Sequence, residues 1–150
     1  MISRLFKYTE WANTRILDSL SRTETNTKAL KLLAHLLTAE KIWLERLRGQ
    51  ETVGTNKSPE LTPDECRQLA TDNQREFYTV IERFEVDGLD SLLTYRNLSG
   101  KQFTTSVRDI LTHVAFHGTY HRAQIALIVR AEGGIPVDTD FITFTRETAN

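Results

Sequence analysis

The chain has 150 residues, of which 39% are hydrophobic and three are proline, which suits one domain over residues 1–150 with its own core and excludes collagen-like or disordered chains. Nineteen Lys and Arg stand against twenty Asp and Glu, a formal net charge of −1 that argues against direct nucleic-acid binding. No apolar run approaches the roughly 18–20 residues that span a bilayer, Met1-Ile2-Ser3-Arg4-Leu5-Phe6-Lys7 lacks the apolar stretch of a secretory signal, and the single Cys66 cannot form an internal disulfide, so a cytoplasmic protein is expected.

Leu5, Tyr8, Trp11, Ala12, Ile16, Leu17 and Leu20 recur every three or four residues, which predicts a first helix from about residue 2 to 21. A Thr/Asn-rich break, Thr23 to Thr27, precedes a second apolar run from Ala29 to Leu47 that stops at Gly49, a C-cap. Residues 50–61 are polar, contain Gly54 and Pro59, and read as a loop. Thr62, Pro63 and Glu65 make a full helix start: a cap, a proline at the first helical position and a capping-box return. The third helix should reach about Phe84, with Leu69, Phe77, Val80, Ile81 and Phe84 inward. Thr94-Tyr95-Arg96 and Gln102-Phe103-Thr104 flank Asn97-Leu98-Ser99-Gly100, as a short hairpin or an extended loop. Ser106 and Asp109 cap a last helix from Val107 to about Glu132, ended by Gly133-Gly134 and Pro136. Four helices with one long crossover connection make an all-α, four-helix bundle.

Three of the four histidines, His113, His117 and His121, are spaced four apart in the last helix. Each step of four turns a helix by about 40° and rises about 6 Å, so the three share a face. With His117 at zero, Ile110, Val114 and Ile125 fall at about +20°, +60° and +80°, which sets the row at the edge of the inward face. Two histidines at i and i+4 can pinch one metal ion, but the outer pair lies about 12 Å apart along the axis, too far to share one. Spacing leaves both His113/His117 and His117/His121 open. The fourth, His35, lies beside the Leu32/Leu36 stripe of the second helix, as a third ligand would.

Other metal chemistries are excluded. His117-Gly118-Thr119-Tyr120-His121 has the ligand spacing of a zinc peptidase, but Gly118 stands where its Glu base belongs. No Glu-x-x-His occurs, which removes a ferritin-like di-iron bundle. Cys66, in a polar helix start, reads as an ordinary thiol. No glycine loop opens a helix to cradle phosphate.

Across nearly its whole length the chain resembles the DinB (damage-inducible) family, within the wider DinB/YfiT-like superfamily of metalloenzymes. The resemblance rests on Tyr8-Thr9-Glu10-Trp11-Ala12-Asn13, on the run from His35 to Leu44, on His113-Val114-Ala115-Phe116-His117-Gly118-Thr119-Tyr120-His121-Arg122-Ala123-Gln124-Ile125, and on the tail Pro136 to Phe141. It implies a four-helix bundle paired as a homodimer, and a divalent metal, zinc or nickel foremost, held by His35, His117 and His121. His113 then becomes a neighbour of the site. The family often has Gly where Ala123 stands and Asn where Phe116 stands, departures that bear on packing or pocket shape. Trp11, Trp43 and Tyr120 are candidates to wall the pocket or are simply core. Arg122 either pairs with a carboxylate or is solvated, and Gln124 either bonds a ligand water or is polar filler.

The superfamily includes thiol-dependent transferases, so the resemblance implies a metal-dependent enzyme that activates a low-molecular-weight thiol against an electrophilic small molecule, ahead of a hydrolase-like enzyme. The sequence offers His113 and Tyr120 as its candidate catalytic residues and no other evident base. The alternatives are a non-catalytic stress-response or interaction module with a structural or vestigial metal site, and a plain helical interaction protein whose histidines are core. The charge balance assigns the damage-inducible name to regulation and gives no support to DNA contact.

Overall fold

A computed structural model describes residues 1–22 and 27–149. Its elements are α1 (Ile2–Leu20), α2 (Thr27–Leu47), α3 (Pro63–Asp87), β1 (Leu92–Arg96), β2 (Gln102–Ser106), α4 (Val107–Ala131) and α5 (Phe141–Glu147). The expected break after α1 falls on residues 23–26, outside the described residues, and Thr27 already belongs to α2.

Local chemistry sets the helix ends. Gly49 takes φ +76°, its amide donates to the Arg46 carbonyl and the Gln50 amide to that of Glu45, both at 2.9 Å. These are the two bonds of a Schellman cap, whose left-handed residue favours glycine. Gly133 and Gly134 close α4 in the same way on Arg130 and Val129. At α3 both halves of the capping box form between Thr62 and Glu65, and the helix continues past Phe84 to Asp87. Ser106 caps α4 by accepting the Asp109 amide at 3.1 Å.

The hairpin, one of two readings open in the sequence, forms as an antiparallel ladder in which Tyr95 faces Phe103. The Asn97 carboxamide shapes its turn by accepting the Ser99 and Lys101 amides. The seven-residue α5 is absent from the expected element list. It seats Phe144 against Tyr8 and Trp11 of α1, and the Tyr8 hydroxyl donates to the Thr139 carbonyl at 2.8 Å.

In the bundle α1 packs on α3 and α4, and α2 packs on the same two, so α1 and α2 lie across a diagonal. Leu44 and Leu47 of α2 share a cluster with Phe77, Val80 and Ile81 of α3, while Leu33 and Leu36 share another with Cys66. These pairings make α2 and α3 parallel, so residues 48–62 must run back along the bundle as the expected long crossover. The two apolar clusters are the two ends of the core. Between them lies a polar layer with one residue from each of the four long helices: Asn13, Glu40, Asn73 and Arg122. Cys66 is not the ordinary thiol expected of a polar helix start, because its turn faces inward. It is fully buried, and burial pushes its thiol up to about 11, which makes it unreactive at neutral pH. No described helix is long and apolar enough to cross a membrane.

Candidate metal centre

The packing of α2 on α4 brings His35 opposite His117 and His121. One ligand nitrogen from each of the three lies within 4.8 Å of the other two. His117 Nε2 and His121 Nε2 are 3.1 Å apart, and the His35 ring centroid lies 4.9 Å from that of His121. His113 stands outside this cluster, its ring 5.4 Å from that of His117 and 5.3 Å from that of Trp43. Of the two pairs open in the spacing, His117/His121 is the one that meets His35.

Hydrogen bonds fix which nitrogen of two rings faces the cluster. His35 Nδ1 lies 2.8 Å from the Lys57 carbonyl and 3.0 Å from Ser58 Oγ. A carbonyl only accepts, so Nδ1 carries the hydrogen and Nε2 keeps its lone pair. His121 Nδ1 lies 2.8 Å from Gln124 Oε1, which orients that ring in the same sense. Gln124 therefore bonds the imidazole itself and is more than polar filler. Such outer partners orient metal-binding histidines and raise their basicity.

The electrostatics favour neutral rings. Burial, and then the neighbouring His121, His113 and His35, push His117 down to about 4. Burial lowers His121 as well, against the opposing Gln124 bond, and desolvation with the Arg46 charge lowers His113. Neutral imidazoles are the form that binds metal. Among the described residues no carboxylate joins the cluster, and a set of three imidazole nitrogens with two anchored rings fits a borderline divalent ion.

Behind the histidine row, Arg122 is 1% exposed, so the solvated alternative is wrong. Its Nη1 donates to Asn13 Oδ1 and its Nη2 to Thr119 Oγ1, both at 3.0 Å, and its guanidinium lies 5.0 Å from the Tyr8 ring centroid. Glu40 supplies the nearby carboxylate, itself bonded by Asn13 and Asn73 and raised above its ordinary value by burial. This network explains Gly118. A Cβ there would lie 2.8 Å from Arg122 Nη1, so the position faces the core, where a glutamate could not act on a metal-bound group.

Of the three candidate walls, Trp43 meets His113 edge to face and Tyr120 lies 5.3 Å from His121, exposed to solvent. Trp11 instead packs on Phe144, with its Nε1 donating to Glu147. Phe116 and Ala123 both face outward, so these two departures change the surface of α4. The Lys57 carbonyl was not legible in sequence, since a backbone acceptor leaves no residue signature. Asn13 carried a weak signal as a polar residue beside Ala12 on the inward stripe of α1.

The DinB family profile matches residues 2–150. Protein DinB of Bacillus subtilis (strain 168) is 23% identical, with 92% of this chain and 90% of that protein covered. A crystal structure of a DinB-like protein from Bacillus cereus superposes with a TM-score of 0.63 at 16% identity, over 91% of this chain and 94% of that one, a likeness of fold.

Proposed function

Since the chain belongs to the DinB family, we propose that it is a metal-dependent enzyme whose divalent ion, zinc or nickel, is held by His35, His117 and His121. The convergence of three imidazoles from two helices, with His117 and His121 held below their ordinary values, carries this reading. An ion bound by three such nitrogens keeps a position open, where it lowers the pKa of a bound water or thiol.

A thiol is the better substrate for this protein. Among the described residues no carboxylate joins the cluster to take a proton from water, and a thiol's unperturbed pKa of about 8.5 is far below that of water, about 15.7. His113, kept neutral beside Trp43, is placed to accept the thiol proton, and the Tyr120 hydroxyl borders the same row. The reaction class is transfer of a low-molecular-weight thiol to a small electrophile. Such a thiol and the free, buried Cys66 fit the cytoplasm. We further propose a homodimer, paired through the exposed row Phe116, Tyr120 and Leu127 of α4.

The test is metal content by mass spectrometry on protein purified without a histidine tag. About one divalent ion per chain is expected, lost in His35→Ala, His117→Ala and His121→Ala and kept in His113→Ala. Unchanged metal in all of the first three would overturn the assignment.

A further inference from the structure

We propose that the α2–α3 connection is a clasp held shut through His35, so that an ion on its Nε2 shields the Lys57–Ser58 peptide bond; this rests on the metal reading above. The connection is tethered at several points. Arg46 Nε donates to Thr52 Oγ1 at 3.0 Å, the Gly54 amide donates to the Leu98 carbonyl of the hairpin turn at 3.0 Å, and Lys31 pairs with Glu60. Between the last two tethers the chain is exposed, and His35 holds it to α2 through the Lys57 carbonyl and Ser58 Oγ. Asn56 Oδ1 accepts the Ser58 amide at 3.0 Å, a local turn that shapes this stretch.

A neutral imidazole carries its one hydrogen on either nitrogen, and only the Nδ1–H form can donate to a carbonyl. An ion on Nε2 excludes the hydrogen from that side and leaves the Nδ1–H form alone. The bond to Lys57 can then no longer be lost to the other tautomer. Linkage makes the effect reciprocal: what favours the closed loop tightens ion binding, and what frees it weakens ion binding. The acceptor is the carbonyl of the bond that trypsin cuts after Lys57, so the metal state of the protein is readable at one peptide bond. A metal-free chain is the one open to nicking there.

The experiment is limited trypsin digestion of the full chain with and without zinc, alongside calorimetry of zinc binding and with cleavage after Lys101 as the internal control. Zinc is expected to slow cleavage after Lys57 about fivefold, the worth of one hydrogen bond retained, and to leave the Lys101 site unchanged. His35→Asn keeps an N–H close to the Nδ1 position but has no second nitrogen, so cleavage should be slow and indifferent to zinc. Asn56→Ala, which removes the turn without touching the three imidazoles, should weaken zinc binding several-fold. Zinc that binds without protecting Lys57, or protects Lys101 equally, overturns the clasp alone. A chain that binds neither zinc nor, titrated in the same way, nickel overturns the metal reading and the clasp with it.

Discussion

Gly118 links the histidine-bearing helix α4 to the core. Alanine is the better helix former by about 1 kcal/mol, yet its Cβ would press on Arg122 Nη1 at 2.8 Å and Cζ at 3.5 Å. The end of an arginine usually swings away, but this one is buried and bonded to Asn13 and Thr119. Overpacking of this kind costs about 1–3 kcal/mol, so Gly118→Ala should lower stability by about 1 kcal/mol net of the helix gain, read by urea denaturation. A more stable variant would show that the guanidinium has room to move. At this scale the histidines were legible, because helix geometry converts a spacing of four into a shared face. The orienting bonds were legible only in part: Gln124 was visible as a polar neighbour of His121, whereas the Lys57 carbonyl is backbone and any residue could supply it.

The four main helices meet in the layer of Asn13, Glu40, Asn73 and Arg122, and their register depends on satisfying it. Glu40 is 4% exposed, and burial outweighs the help of Asn13, Arg122 and Asn73, so its folded pKa stands above the unfolded one. The folded chain then binds the proton more tightly than the unfolded chain. The contribution of Glu40 to stability falls as pH rises from about 4.3, the unfolded value, through the raised one. Glu40→Gln removes this titration, and stability measured by denaturant titration across pH, with chelator present, should lose that downward slope. The slope removed is at most about 1.4 kcal/mol per pH unit. A wild-type curve parallel to the variant's would refute the argument. Elements differed in how plainly the sequence announced them. Thr62-Pro63 with Glu65, and the two glycine stops, are local chemistry and fell where expected. The helix α5 is too short for periodicity to register, and Phe141 and Phe144 acquire a reason to be helical only once Tyr8 and Trp11 are beside them.

For the whole molecule, the crossover was implied by a long polar connection between two amphipathic helices, while the division of the core by a polar layer was not, since an Asn or Glu in a helix ordinarily reads as surface. What faces outward on α4 now matters as much as what faces in. Phe116, Tyr120 and Leu127 are 65%, 63% and 66% exposed, and on the helical wheel they cluster about 60–100° from His117, on the side away from the core. Their spacing of four and seven is that of a seam between paired helices, and a seam presented by one helix to its own copy satisfies twofold symmetry. Light scattering should therefore give twice the 17.2 kDa chain mass. Phe116→Asp and Leu127→Asp should each shift the protein toward the single-chain mass while metal content stays at the wild-type level, because neither side chain belongs to the histidine cluster. Ile135→Asp, equally apolar and 91% exposed but beyond the end of α4, should leave the mass unchanged. A wild-type protein that runs at one chain mass would mean that the row serves something other than self-pairing.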